Sequence, residues 1–570
     1  MMVYSNNPFW AVMNDKNGGW NTVGVILGAL SLVILSISDR KKKVDAHDDK
    51  DKLSVAAART GVQTKYWFHG AAGFGAWIFV IHNFFTDSSI LSRWTWDGYP
   101  STGPAPVPWG GLVVTALILG FSIGRRVDLT TGMIWWAVAA VCAAIITFVS
   151  GWMGHIAGLI FAVYISSITP AVLKLVSQCP PGKTLGIGFM IYNMLVLASI
   201  YTVAYEFVPG GPLLRERTWV VMLVTMWLLF LGVRGARSVL EKEDAWPLKK
   251  NTAENNEFSR QNRSGRGIMW ILGAVGWFVM FWRMTVTTKV PEPFNPKERI
   301  ITSAIWTIHF DIDNDLWTAE QRILEAVQDL KPDVMGFLES DTERIIMGNR
   351  DWTQYLGEKL GYYVDYGPSP RKHTWGCAML SKFPIKKSEH LLLPSPAGEL
   401  ACAIYATLDV HGRDVDVIIS HNGQEENLLD RQLQTTKLAE VISASKNPFI
   451  FTGYVVTKPF GEIYNILIDG GKINDVDPTD HDRWCQYIAY KGLKRVAYAR
   501  ISRGTITDTE IQAAKFVVPE PGVAISDWKP SYDRVEESHY SPAYHFPAIF
   551  RGSGVRGHYY HVFDEPRYYN

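Results

Sequence analysis

Apolar residues fill long unbroken runs up to about residue 290, and beyond it they come in short runs between polar turns. Crossing a bilayer's hydrocarbon core takes roughly 20 apolar residues in a helix. Runs of that order fall near 20–38, 66–86, 109–127, 131–150, 153–174, 185–206, 217–234 and 268–286. The first begins near Trp20 after a polar, nearly uncharged stretch, so it reads as a membrane helix and not a cleavable signal. The fourth and fifth runs read as two spans, with one re-entrant unit as the alternative. From 299 onward the period shortens. Residues 299–310 are β-branched and aromatic and predict a buried strand. Thr318 predicts a helix start, with Gln321 placed for a capping box. Ile323, Val327 and Leu330 then repeat at helical spacing, and Pro332 ends the helix. Residues 333–338 predict a strand that delivers Glu339 at its C-terminal end. Further strands fit 375–381, 400–409, 413–420, 448–454, 484–490 and 494–501, and a helix fits 426–445. This alternation predicts a layered α/β sandwich over 298–570, behind a multi-pass α-helical membrane domain over 1–290.

Charge orients the membrane half. Lys and Arg crowd every second loop: 39–65, the turn at Arg125 and Arg126, the turn at Lys183, and 235–267. Loop 87–108 carries only Arg93, and the turn near Gly151 carries neither. The basic loops are expected on the cytosolic side. Eight spans then place the N-terminus and the C-terminal domain together on the opposite, lumenal or exterior side. The Asn262-Arg263-Ser264 sequon falls on a cytosolic loop and is expected to stay unmodified. Among polar residues in or beside the spans, His82 and His155 divide evenly between contact with a lipid headgroup and hydrogen bonding between helices. For His69, Asn83, Asn193 and Glu206 the interhelical reading is preferred.

Composition changes the picture in two places. A net charge of +1 gives no reason to expect nucleic acid as a partner. The five cysteines form no CxxC pair and no zinc spacing. Cys377, Cys402 and Cys485 read as small buried hydrophobes, with a Cys377–Cys402 bridge between neighbouring strands as the alternative.

Metal-assisted phosphodiester chemistry needs a carboxylate for a cation, a cationic donor for phosphate oxygens and a group that activates the attacking oxygen. Glu339 suits the metal. His421, in Ser420-His421-Asn422-Gly423, suits phosphate contact. His539, in Glu537-Ser538-His539-Tyr540, suits the general base. Asp480 and Asp482 are placed to orient a histidine or hold the metal, and Arg500 or Arg503 to clamp phosphate. Each has a plainer alternative: a lone histidine after a strand is more often structural, and the two aspartates alone read as solvated loop charges. Asp311, Asp313 and Asp315 have the spacing of a calcium loop, but Leu316 stands where its glycine belongs.

The ordered set resembles the endonuclease/exonuclease/phosphatase superfamily, which includes deoxyribonuclease I and neutral sphingomyelinases. Residues 376–385 look like its G-x-A-I-L-S-R-x-P-I strand, Glu339 matches its metal-binding glutamate, His421 its central histidine and His539 its terminal one. The resemblance implies a four-layer sandwich and a divalent cation, Mg or similar. The departures are specific: Thr307 stands for the first-strand asparagine, Gly453-Tyr454-Val455-Val456 for G-D-F-N, Gln486 for the aspartate of D-Y-I, and Ser538 for the aspartate before the terminal histidine.

A narrower match absorbs those departures. Residues 307–317, 482–490 and 498–503 resemble the fungal cell-wall-biogenesis family that remodels GPI anchors. Members exchange the anchor's diacylglycerol-type lipid for ceramide in the endoplasmic reticulum. The resemblance implies GPI-anchored proteins, ceramide and membrane lipid as partners. Many members carry a further N-terminal membrane part, which this chain is expected to lack as a truncated or split form; a separate GPI-remodelling membrane protein is then a further partner. The expected activity is phosphodiester exchange at the lumenal face. The catalytic groups would be His421, His539, Asp480, Asp482 and Arg500. Glu339 would hold the metal, and Arg503, His82 and His155 would bind substrate. A degenerate domain that only binds GPI or a partner enzyme, and a membrane-tethered sphingomyelinase-like hydrolase, are the alternatives.

Overall fold

The computed structural model describes residues 65–99, 102–124, 126–203, 209–240, 253–285, 290–311, 319–341, 351–368, 375–524 and 530–570, with scattered positions elsewhere. The membrane half is helical: α1 Trp67–Phe85, α2 Ile90–Trp96, α3 Pro106–Ile123, α4 Met133–Phe148, α5 Gly151–Ser167, α6 Thr169–Gln178, α7 Pro181–Tyr201, α8 Thr218–Leu240 and α9 Ala253–Thr285. Helices stand at seven of the eight expected runs, and the first run lies largely outside the described residues. The fourth and fifth runs are two separate helices, α4 and α5, packed on each other across a turn with Gly151 at φ +74°. With no hydrophobic effect between helices inside lipid, close approach of small residues supplies the packing. Gly73 of α1 and Gly232 of α8 meet backbone to backbone, so a Cβ at Gly73 would lie 2.6 Å from the Gly232 Cα.

The C-terminal half is a four-layer sandwich. Among the described residues, its first sheet has eight strands in the order β13-β14-β11-β12-β1-β2-β4-β3. These are β1 Ile300–Thr307, β2 Val334–Asp341, β3 Tyr363–Tyr366, β4 Trp375–Ser381, β11 Lys494–Ile501, β12 Ile511–Val517, β13 Arg534–Val535 and β14 Arg567–Tyr569. The second has six, β5-β6-β7-β8-β10-β9: β5 Ile385–Leu392, β6 Cys402–Val410, β7 Arg413–His421, β8 Phe449–Tyr454, β9 Asn474–Asp475 and β10 Gln486–Lys491. Alternation assigns the faces. On β1, Ala304 and Trp306 turn outward to the helices α10 Glu320–Leu330 and α11 Trp352–Leu360, while Ile301 and Ile305 turn inward to the other sheet. Helix α12, Leu428–Ala444, covers the outer face of the second sheet with Leu438 and Ile442. Strand β1 is buried along its whole length, and its β-branched and aromatic residues make it legible.

Three expectations change here. Strand β1 stops at Thr307, and His309, Phe310 and Asp311 follow with φ of +45°, +57° and +58°, a left-handed turn incompatible with strand. Helix α10 is entered through Ala319 with no side-chain cap, Gln321 bonds forward to Glu325 Oε1 at 3.0 Å, and Thr318 lies outside the described residues. The central strand β12 was not expected at all.

Register identifies the end of the sandwich that matters. Thr307 pairs with Leu338, Cys402 with His421, His421 with Tyr454, and Gln486 with Tyr454. The ends of β1, β2, β7 and β8 and the starts of β6, β10 and β12 therefore share one edge. That edge meets the membrane half. The backbone N–H of Tyr99 donates to the Tyr366 carbonyl at 2.8 Å, and its hydroxyl donates to Asp351 Oδ1 at 2.5 Å. Arg215 Nη2 donates to the Ser395 and Gly398 carbonyls at 2.6 and 3.0 Å, and the Tyr205 hydroxyl also donates to Gly398. Arg283, near the end of α9, pairs with Glu358 of α11. The loops that touch the C-terminal domain are thus the one that holds Tyr99 and the one that holds Tyr205 and Arg215.

Candidate functional site

Glu339 sits where the β2–β4 register shifts between Phe337 and Ser340, and its φ is +55°. A bulge re-aims a side chain, and a left-handed glutamate persists only where its surroundings enforce it. His421 ends β7 opposite, its Nε2 3.4 Å from Glu339 Oε1. Burial works against the imidazolium, but the Glu339 carboxylate outweighs it, and the pKa of His421 is raised above its ordinary value. The imidazole lies flat on the Tyr454 ring, centroids 5.1 Å apart and planes 3° off parallel. Tyr454 occupies the position expected to carry a motif aspartate, so a phenol kept neutral by burial stands in place of a carboxylate. Beside it, burial pushes the Cys485 thiol up to about 12.

Along the same edge the other departures interlock. Gln486 Oε1 accepts from the Thr307 backbone N–H and from Thr307 Oγ1, both at 3.0 Å, and Gln486 Nε2 donates to the Glu510 carbonyl at 2.8 Å. Two substitutions in the superfamily pattern are thus one hydrogen-bonded pair. Arg500 Nε donates to Glu510 Oε1 at 2.7 Å, and its Nη1 donates to Asp480 Oδ1 at 3.0 Å and reaches Asp482 Oδ2 at 3.1 Å. Asp480 Oδ2 also accepts from the Tyr498 hydroxyl at 3.0 Å. Buried Asp480 therefore orients Arg500 and not a histidine. Arg500 is committed to carboxylates, which corrects its expected role as a phosphate clamp. Asp482 is 65% exposed at the rim. Arg503 is exposed too, donating from Nη1 to the Asp508 carbonyl at 2.8 Å. A cavity of about 570 Å³ opens here, lined by Asp482, Arg500, Arg503, Asp508, Glu510 and His561 among others.

His539 does not join the site. It is exposed just past the edge strand β13, five strands from β2, or ~24 Å at the usual strand spacing. The imidazole that does enter the cavity is His561, whose Nε2 lies 2.5 Å from Glu510 Oε2. Burial raises the Glu510 pKa, but contacts with His561 and Arg500 outweigh it and hold the carboxyl below its ordinary value. Nothing near His561 in sequence signals this, because Glu510 and Arg500 come from other strands.

Of the membrane-half candidates, His82 Nδ1 meets the Tyr192 hydroxyl at 3.0 Å, an interhelical bond that corrects the headgroup reading. His155 is buried between the rings of Trp96 and Trp152, centroids 5.9 and 6.0 Å away, which also removes it from direct headgroup contact. Asn193 bonds within its own helix to the Phe189 carbonyl, not between helices. Glu206, Asp315 and Leu316 lie outside the described residues; Asp313 is paired with Arg322 at 2.6 Å, a geometry unlike a calcium loop. All five cysteines are buried and free; Cys377 and Cys402 meet at 3.0 Å, Sγ to Sγ, across the two facing sheets and not between neighbouring strands.

Among the described residues, no three His, Cys, Asp or Glu groups gather so as to hold a metal ion. Glu339 has an imidazole for a neighbour and faces the phenol that stands for the motif aspartate. That donor set does not fit a divalent cation held by the protein alone.

Family models match three stretches: the PGAP2IP C-terminal nuclease-like domain over residues 298–545, the PGAP2IP second transmembrane domain over 63–242, and the PGAP2IP first transmembrane domain over 1–34. Protein cwh43 of Schizosaccharomyces pombe is 39% identical over 576 residues, which is 100% of this chain and 57% of that protein. The chain thus spans little more than half the length of this curated relative. Similar solved structures include an endonuclease/exonuclease/phosphatase from Beutenbergia cavernae, at 18% identity over 40% of this chain and 73% of that one, TM-score 0.34. The human Nocturnin catalytic domain with bound sulfate is 17% identical over 38% of this chain and 94% of its own, TM-score 0.31.

Proposed function

The chain belongs to the cwh43 and PGAP2IP family of membrane proteins with a C-terminal nuclease-like domain, and on that premise we propose that it remodels the lipid of GPI anchors. The reaction is phosphodiester exchange: the primary hydroxyl of ceramide replaces a diacylglycerol-type alcohol on the phosphate joined to inositol. The observation that carries this reading is the Glu339–His421 pair on the edge of the sandwich that meets the membrane half. Glu339 takes the proton of the attacking hydroxyl as its oxygen bonds to phosphorus. The raised pKa of His421 keeps an imidazolium available, first to hold a phosphoryl oxygen and then to protonate the departing lipid alcohol. At 3.4 Å the two groups exchange the proton between them and reset. The Tyr454 ring over His421 keeps water from the phosphorus, which favours transfer over hydrolysis. The polar cavity beyond it, with Arg503 at its mouth, takes the inositol-bearing headgroup. The site faces the lumen of the endoplasmic reticulum, with GPI-anchored proteins, ceramide and a separate GPI-remodelling membrane protein as partners.

Mass spectrometry of GPI lipids from cells expressing His421→Ala or Glu339→Gln at matched protein level tests the reading. Anchors should retain diacylglycerol-type lipid; fully ceramide-based anchors in either variant would reject it. A second reading rests on Tyr454, whose place is expected to hold a carboxylate. A domain that only binds GPI would keep full exchange in His421→Ala. A hydrolase would instead release free phosphorylated headgroup without exchange.

A further inference from the structure

The first two turns of α12 expose three leucines, Leu428, Leu429 and Leu433, at 47, 56 and 40% of their surface. Further along the same helix the exposed residues become Thr436, Lys437 and Glu440. A helix end that is apolar outward at one place and polar elsewhere marks a contact surface. Phe460 extends the patch at 55% exposed, on the turn after β8. Its segment is tied to α12 through Gln432 Nε2, which donates to Glu462 Oε1 at 2.6 Å. Phe460 holds φ +65°, a costly conformation for a bulky residue that burial in the protein does not explain.

The patch is continuous with the junction to the membrane half. Asp430, next to Leu429, accepts from the Ala397 and Gly398 backbone N–H groups at 3.2 and 2.6 Å. Gln434 Nε2 donates to Ser395 Oγ at 2.9 Å. Ser395 and Gly398 are the residues whose carbonyls Arg215 and Tyr205 bind from the membrane half. The leucines therefore flank the loop that seats the domain on its spans, on the sandwich edge that carries His421.

We propose that Leu428, Leu429, Leu433 and Phe460 form an apolar foot that inserts into the headgroup–acyl boundary of the bilayer beside the docked spans. Exposed leucine and phenylalanine at that depth are the pattern of an interfacial anchor. The preceding loop carries exposed Glu425 and Glu426 against a single Lys458 on the other side, so the surface fits zwitterionic and not anionic lipid. The foot would hold the site at the depth where a lipid phosphate lies and is independent of which reaction follows.

The test uses the full chain in phosphatidylcholine nanodiscs, with single cysteines at Leu429→Cys, Phe460→Cys and Lys437→Cys carrying an environment-sensitive fluorophore. The native cysteines are buried and leave these sites selective. Labels at 429 and 460 should shift to the blue and be quenched by nitroxide lipid, while the label at 437 is quenched only by aqueous iodide. An unchanged circular-dichroism spectrum and thermal midpoint in each labelled variant report that the chain is folded. Iodide quenching at 429 and 460 equal to that at 437 would overturn the proposal, as would shielding from both quenchers, which marks a protein partner. Stronger lipid quenching on adding phosphatidylserine would overturn the apolar account. Lipid quenching that persists while GPI exchange is absent would reject the proposed reaction and leave the foot standing.

Discussion

At the scale of residues, the site rests on a carboxylate and an imidazole that alter each other. Because folding raises the pKa of His421, its pairing with Glu339 stabilises the protein fully below the ordinary histidine value of about 6.5 and the benefit fades as pH rises through the folded value. Glu339→Gln should therefore lower the thermal midpoint of the solubilised chain most near about pH 5.5 and progressively less at higher pH. A deficit that grows with pH would have the wrong sign. The donor set yields a second expectation: exchange activity should survive EDTA, since one carboxylate and one imidazole make a poor cage for a hard divalent ion. Loss of activity on chelation, restored by Mg, would show that the substrate or residues outside the described ones complete a metal site. Glu339 and His421 were legible because each stands at or near the C-terminal end of a readable strand. His539 misled because motif order carries no information about which edge of a sheet a loop reaches, and His561 stayed hidden because its carboxylate partner is 51 positions away.

At the scale of elements, buried charge fixes the segment that lines the cavity. Arg483 donates to both oxygens of Asp475, at 2.8 and 2.7 Å, and to the Asp477 and Asp480 carbonyls at 2.9 and 3.2 Å. Its side chain is fully buried, so Arg483→Met strands Asp475 without a counter-charge. Removing one member of a buried pair costs about 3–5 kcal/mol, and the variant should unfold at correspondingly lower denaturant with an unchanged slope. A cost below about 1 kcal/mol would mean that the pair is solvated. Strand β12 shows the limit of pattern reading. Its Gln512 and Lys515 are buried polar residues that break the apolar alternation. Gln512 is satisfied by the Gln486 carbonyl at 3.1 Å and Lys515 by Thr302 Oγ1 at 3.1 Å. Only partners supplied by other strands make that sequence acceptable in the middle of a sheet.

At the scale of the whole molecule, the described contacts between the two halves include those of Tyr99, Tyr205 and Arg215 by the reactive edge and the Arg283–Glu358 pair. Arg215 makes two of these bonds, to the Ser395 and Gly398 carbonyls, and its Nε braces the Tyr205 hydroxyl within the membrane half. Arg215→Ala should raise hydrogen exchange in 393–399 and lower GPI exchange while leaving the exchange protection of β7 and β8 unchanged. Equal protection in 393–399 would show that docking does not depend on it. By itself the sequence determined what local periodicity encodes: apolar runs at spanning length, alternating strands, loops sorted by charge, and a carboxylate and histidine at strand ends. The tertiary structure decided what depends on pairing across distance: β12 between β11 and β1, Arg500 among three carboxylates, His561 in place of His539, and the edge that meets the membrane half. The physical reason is that hydropathy is a property of neighbours in the chain, whereas register and strand order are set by side chains hundreds of positions apart competing for the same buried partners.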